Sequence, residues 1–155
     1  MQKITTIEMH TGGEPLRIFT GGLPELPGRS ILEKQRYFRD HLDHIRTATM
    51  YEPRGHADMY GAILTEAVNE GSDFGAFFLH NQGYSSMCGH AIIALTRYVL
   101  EMGIVKKTGP EAVLKIDVPP GVITARAAIQ DGKVSESSFL NVPSFVMLKD
   151  EKVKV

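Results

Sequence analysis

The sequence predicts an α+β fold in which antiparallel-rich strands wrap a buried helix. Three observations predict it. The run Ala91 to Met102 is apolar nearly all round and ends at Gly103, the pattern of a helix buried on most sides with a glycine as its C′ residue. The second half of the chain is a succession of β-prone runs joined by Pro119-Pro120-Gly121 and by Asp131-Gly132, the latter a strong hairpin signal. A further helical stripe in the first half is amphipathic, the pattern of a surface helix.

The elements follow in order. Lys3 to Met9 is short and β-prone, and Leu16 to Thr20 is a second strand after the turn Thr11-Gly12-Gly13-Glu14-Pro15. Gly21 to Gly28 carries Pro24 and Pro27 and reads as a loop. Ser30 is an N-cap, with Glu33 three residues later completing a capping box. From there Ile31, Leu32, Phe38, Leu42 and Ile45 trace an apolar stripe to about Thr47, while Lys34, Arg36, Asp40, His41 and His44 line a solvated face. Met59 to Leu64 and Phe74 to His80 read as strands, followed by the buried helix. Val113 to Val118, Val122 to Ile129, Lys133 to Leu140 and Phe145 to Leu148 complete the set. Lys149 to Val155 stops in the middle of a strand-like pattern with no capping device, which reads as a truncation.

Composition narrows the function. A chain of 155 residues supports one domain with a real core. Its 43% hydrophobic and 23% charged residues are those of a soluble globular protein. A net charge of −1 gives no electrostatic case for nucleic acid or an anionic membrane. No segment reaches the about 18 apolar residues of a membrane span. The start, Met1 to Thr6, lacks the apolar core of a signal peptide, and a single cysteine forms no internal disulfide, so the expected location is the cytoplasm.

That cysteine, Cys88, is the candidate reactive group. A lone cysteine is more often a small buried hydrophobe, but this one stands in Tyr84-Ser85-Ser86-Met87-Cys88-Gly89-His90, directly before the apolar helix. Free N–H groups and the positive end of the macrodipole favour a thiolate at such a place. The expectation is a thiol pKa lowered from about 8.5 toward the ~3.5–7.5 range. Gly89 allows close approach to the backbone, and the N–H groups of Gly89 and His90 would hold a carboxylate.

Other polar groups weigh less. His41, His44 and Asp43 have a spacing that could hold a metal, but without a third ligand or a cysteine they read as a solvated helix face, so no metal is expected. Arg54, His56 and Asp58 form a polar cluster in a Gly-containing loop, read from the residues alone as a turn network. His10 and Glu14 surround the Gly-Gly turn, near the site or structural, and Gly12-Gly13 is too short for a phosphate cradle. Asn81 precedes the cysteine loop and is expected to bond local backbone.

Three blocks carry a resemblance: Met9-His10-Thr11-Gly12-Gly13-Glu14-Pro15, Glu52-Pro53-Arg54-Gly55-His56-Ala57-Asp58-Met59-Tyr60-Gly61, and Asn81-Gln82-Gly83-Tyr84-Ser85-Ser86-Met87-Cys88-Gly89-His90. With them in order along most of its length, the chain resembles the N-terminal half of the proline racemase family. It is most similar to the trans-3-hydroxy-L-proline dehydratase branch, on Ser85-Ser86 before Met87 and Ala91-Ile92-Ile93-Ala94-Leu95 after His90.

The resemblance implies a diaminopimelate epimerase-like domain, with a barrel-like mixed or antiparallel sheet around a central buried helix. Residues 1–155 would be the first of two such domains, with the substrate in the cleft between them. It further implies Cys88 as one acid/base of that cleft, and Gly89 and His90 as ligands of the substrate carboxylate. His10, Glu14, His56 and Asn81 are candidates to shape the cleft. The opposing group, a threonine in dehydratases and a cysteine in racemases and epimerases, would come from the second domain. The implied substrate is proline or a hydroxyproline, with no cofactor. The reading from another class is a non-catalytic half-domain that binds proline-like acids or a partner chain. Self-association into a homodimer is expected, because a cleft-facing half exposes apolar surface.

Overall fold

The computed structural model describes residues 1–144, 146, 148–150 and 152. Its elements are β1 (Thr5–Thr11), β2 (Glu14–Gly21), α1 (Ile31–Met50), β3 (Tyr60–Thr65), β4 (Phe74–His80), β5 (Gly83–Ser85), α2 (Gly89–Glu101), β6 (Glu111–Val118), β7 (Gly121–Gln130) and β8 (Lys133–Leu140). All eight strands belong to one mixed sheet in the order β1-β2-β3-β4-β6-β7-β8, with β5 hydrogen-bonded to β4 off that path. Two neighbouring pairs, β2 with β3 and β4 with β6, are parallel, and the rest are antiparallel. Parallel neighbours need a long crossover, usually helical. Helix α1 supplies the first and α2 lies within the second. The end strands β1 and β8 do not pair with each other among the described residues, so the sheet is open.

Local signals set most boundaries. The Ser30 hydroxyl accepts from the Glu33 N–H at 3.1 Å, and the Glu33 carboxylate accepts from the Arg29 N–H at 2.7 Å. The first hairpin needs only Gly12 and Gly13, whose φ values of +60° and +100° suit residues without a Cβ. Gly103, at φ +67°, ends α2 as expected. Helix α1 continues past Thr47 to Met50, and α2 begins two residues before Ala91, at Gly89. Strand β5 has no counterpart in the sequence reading. Of the strand expected over Phe145 to Leu148, Val146 and Leu148 lie outside regular structure and Phe145 and Met147 lie outside the described residues. Lys149 and Asp150 form a bend, Lys152 is irregular, and the remainder of that terminal segment is likewise outside them.

Strand β4 is the centre of the molecule. Phe74 to Leu79 are all buried because helices cover both faces. Phe74, Ala76 and Phe78 join Ala91, Ile92, Leu95 and Val99 of α2 in one core. The alternate residues Phe77 and Leu79 join Ile31, Phe38, Ile45 and Met50 of α1 in a second. Each fully buried phenylalanine stabilises the fold by about 1.5–3 kcal/mol. Helix α2 also packs on β1, β2, β7 and β8. No helix is long and apolar enough to cross a membrane among the described residues.

The face of α1 read as solvated is exposed at Arg36, Asp40, His41 and His44, while Asp43 is partly buried. Arg46 is buried, makes two bonds to the Asp43 carboxylate at 2.7 and 2.8 Å, and donates to the carbonyls of His80 and Asn81. Tyr84 donates to the same carboxylate at 2.7 Å. Asp43 is thus committed to the turn between β4 and β5, and the Arg46 guanidinium holds its carboxyl below the usual range. His41 stacks on Tyr37 with centroids 4.6 Å apart.

Candidate active site

Cys88 is the N-cap of α2, in extended conformation at φ −142° and ψ 105°, and its side chain makes no capping bond. It is 6% exposed, walled by the core beneath the helix start. The next residues open the helix, so their N–H groups have no intrahelical acceptor. Cys88 Sγ lies 3.3 Å from His90 Nδ1 and 3.8 Å from Nε2.

The first hairpin holds His90 from the other side. The Thr11 hydroxyl donates to the His90 carbonyl at 2.9 Å, and His90 Nε2 lies 3.3 Å from the Pro15 carbonyl. Tyr60 of β3 stands edge-on to the imidazole, with centroids 5.0 Å apart and planes at 81°. The same tyrosine touches the His80 ring at 5.2 Å and places its hydroxyl 3.2 Å from Ser85 Oγ. A glycine precedes His90 for a steric reason. A Cβ on Gly89 would come 3.0 Å from the Phe139 ring of β8.

Electrostatics overturn one expectation. Burial pushes the Cys88 thiol up to about 11; the nearby Ala91 N–H works against this, and the Glu14 carboxylate raises it further. The helix start was expected to lower this value. Removal of the sulfur from water outweighs the helix end in this half of the molecule.

The remaining candidates fall in three places. Glu14, His56 and Asn81 line one open cavity of about 970 Å³ together with Tyr60 and His80. Asn81 acts there as a clamp: its amide donates to the Met50 and His56 carbonyls at 2.7 and 2.9 Å and accepts from the Met59 N–H at 2.9 Å. These are long-range bonds, where local ones were expected. His56 is exposed, with Nδ1 2.6 Å from the Ala57 carbonyl. His10 accepts from the Gly13 N–H at 3.3 Å and faces a different groove, between β1 and β8.

Thr11, Pro15, Tyr60 and Phe139 were not singled out as site residues from the sequence. The first three lie inside the quoted blocks, and that membership was their available signal. Phe139 lies in a strand where nothing distinguishes it. Among the described residues no three His, Cys, Asp or Glu side chains converge as a metal site would need.

Comparison with known proteins agrees with this fold. The chain is 54% identical over 152 residues to a trans-3-hydroxy-L-proline dehydratase of Colwellia psychrerythraea, covering 98% of this chain and 43% of that protein. It is 47% identical to a 3-hydroxyproline 2-epimerase of Burkholderia multivorans, covering 98% and 45% respectively. A solved probable proline racemase from Agrobacterium radiobacter, with bound carbonate, superposes with a TM-score of 0.86 at 28% identity, over 94% of this chain and 43% of that one. A hydroxyproline epimerase from Agrobacterium vitis, with bound trans-4-hydroxy-L-proline, shares the fold at the same TM-score and 24% identity, over 95% and 44%. The chain therefore spans less than half the length of the relatives it matches. The proline racemase family profile matches residues 6–155, and the chain belongs to that family.

Proposed function

We propose that this chain is the cysteine-bearing half of a cofactor-independent lyase that converts trans-3-hydroxy-L-proline to Δ1-pyrroline-2-carboxylate. The observation that carries the reading is the helix start that places Cys88 beside two N–H groups free of intrahelical bonds and an imidazole, in a chain 54% identical to a dehydratase of that name. The N–H groups of Gly89 and His90 hold the substrate carboxylate as charge develops on it. Cys88, as thiolate, removes the α-proton. The electron pair left at the α-carbon closes a double bond to the β-carbon as the 3-hydroxyl takes a proton and leaves as water. The enamine then tautomerises to the cyclic imine.

The group on the opposite face of the ring belongs to the second domain, so residues 1–155 act as the first of two. Glu14, whose charge reaches Cys88, faces the cleft; His56 and Asn81 shape its wall, and His10 fixes the adjoining turn. The sheet, in contact with α2 through both end strands, forms a barrel-like enclosure around that central helix. The protein works in the cytoplasm as a homodimer, on a small molecule rather than nucleic acid.

The epimerase of Burkholderia multivorans favours a second reading, return of the proton to the opposite face with the hydroxyl retained. The test incubates the complete protein with each hydroxyproline isomer in deuterium oxide and identifies products by mass spectrometry. The lyase reading expects loss of water from trans-3-hydroxy-L-proline alone. An epimer bearing α-deuterium overturns it in favour of the second reading, and binding without exchange leaves a non-catalytic binding half.

A further inference from the structure

His80 is the last residue of β4 and lines the open cavity together with Glu14 and Tyr60. The Gln82 N–H donates to its Nδ1 at 3.2 Å. An N–H gives only to a lone pair, so the proton of the neutral ring sits on Nε2. A second proton would have to enter at Nδ1, against that N–H. Burial and the charge of the Arg46 guanidinium also hold the imidazole below its usual value, so the ring is neutral at neutral pH. Among the described residues Nε2 has no partner, yet none of the buried side-chain nitrogens and oxygens there is unpaired. Nε2 therefore reaches open space, as an oriented donor that carries no charge.

The cavity shares two of its walls with the cysteine. Glu14 is near enough for its charge to act on Cys88, and the Tyr60 ring packs on His90 at 5.0 Å and on His80 at 5.2 Å. A cyclic amino acid whose carboxylate meets the N–H groups of Gly89 and His90 carries its ring into this space. Neighbouring polar groups are engaged elsewhere or only accept. Asn81 uses its amide N–H groups on the Met50 and His56 carbonyls, the Tyr60 hydroxyl meets Ser85, and Glu14 and Asp58 are carboxylates. We propose that His80 is a specificity-determining residue of this site, donating a hydrogen bond from Nε2 to the ring hydroxyl of a hydroxyproline. A neutral imidazole gives up its proton far too reluctantly to act as an acid. His80 therefore holds the hydroxyl, and the proton that leaves with it comes from another group.

This inference rests on the reading that a hydroxyproline lies beside Cys88. His80→Asn is the decisive variant. Its amide oxygen can still accept from the Gln82 N–H, while no donor reaches the position of Nε2. In the complete protein it should weaken binding of trans-3-hydroxy-L-proline, read as KM, by about tenfold, the upper range of one neutral hydrogen bond. Inhibition by L-proline, which lacks the hydroxyl, should stay unchanged. His80→Gln, whose amide nitrogen reaches the Nε2 position, should recover part of the loss. Nitrogen-15 spectra of the histidine-labelled protein should show His80 protonated at Nε2 and bare at Nδ1. An equal loss for both ligands would reduce His80 to packing and overturn the proposal, as would an unchanged KM or a proton on Nδ1. The lyase reading is judged by its product, and an epimerase would show the same discrimination, so the two fail separately.

Discussion

The ring of Phe139 lies where a side chain on Gly89 would have to be, 3.0 Å from the position of its Cβ. Strand β8 is thereby pressed onto the first residue of α2, next to Cys88. The bond from the Ser137 hydroxyl to the Ile93 carbonyl, at 3.5 Å, continues the same contact one helix turn on. The glycine is therefore accounted for by packing before any ligand is considered.

Gly89→Ala should accordingly destabilise the chain by about 1–3 kcal/mol, the usual cost of forcing an extra methyl into packed surroundings. Thermal unfolding measures it. Trimming the ring with Phe139→Leu in the same chain should recover most of the loss. Equal stability of Gly89→Ala and the unmutated chain would remove Phe139 as the reason for the glycine.

Cys88 should titrate high. Alkylation by iodoacetamide should have its main inflection near about 11, well above the value of a free thiol, because burial disfavours the thiolate. Glu14→Gln removes a negative charge that also opposes the thiolate, so that inflection should move down. An upward move, or an inflection below about 8.5 in the unmutated chain, would show that the helix end outweighs burial after all.

The pattern of what was legible follows from range. Ser30 with Glu33, Gly12 with Gly13, and Asp131 with Gly132 act on residues next to them in sequence, and each set its cap or turn where the sequence placed it. Cys88 at a helix start was legible for the same reason. Its burial was not, since the core around it is assembled from strands far along the chain. Arg46 was not singled out in the sequence, yet it points inward to the carbonyls of His80 and Asn81. Strand β5 has three residues and exists only because β4 offers it an edge. The parallel pairings are topological and leave no mark on hydrophobic alternation.

Asn81 should be harder to replace than an ordinary turn asparagine. Asn81→Asp keeps the acceptor for the Met59 N–H but turns a carboxylate toward the carbonyls of Met50 and His56. The half-buried Met50 carbonyl left without its donor costs about 1–3 kcal/mol, and the exposed His56 carbonyl less. Denaturant unfolding should show a loss of several kcal/mol, greatest at neutral pH, where the new carboxylate is charged. A loss under about 1 kcal/mol would mean that the loop ahead of β3 does not depend on this clamp.

Asp117 gives the acid limb of stability. Its buried carboxylate accepts from the N–H groups of Val68 and Asn69 at 2.7 and 2.9 Å, from the Asn69 amide at 2.9 Å and from the Ser72 hydroxyl at 2.7 Å. Burial alone would raise its pKa, but these bonds outweigh it and the net shift is downward from 3.8. A folded value below the unfolded one stabilises the fold above the unfolded pKa of about 3.9. That stability is lost as pH falls through the folded value. Unfolding free energy should therefore drop below about pH 4, and Asp117→Asn should flatten that drop while lowering stability at pH 7. An unchanged acid slope in the variant would assign the limb to other carboxylates.

The chain by itself should show no turnover and should associate. Deprotonation at one face of the ring needs a partner at the other, and positioning two such groups contributes about 7–11 kcal/mol in well-oriented cases. Cys88 is the chain's only cysteine, and in the proposed reaction it serves one face. Association follows from two features of the surface. Among the described residues the edges of β1 and β8 are unpaired with each other, and the groove between them is floored by Ile93 and Ala94 of α2. Leu140, at the end of β8, is 76% exposed, with Val122 of the neighbouring strand exposed as well. Open edges and apolar patches of this kind favour pairing between copies. Size-exclusion chromatography with light scattering should give a dimer or larger species at high concentration. Leu140→Lys, which places a charge on the exposed patch without touching the core, should shift that equilibrium toward monomer. A monomer at every concentration would refute the association. Loss of water from trans-3-hydroxy-L-proline catalysed by residues 1–155 alone would refute the requirement for an opposing group.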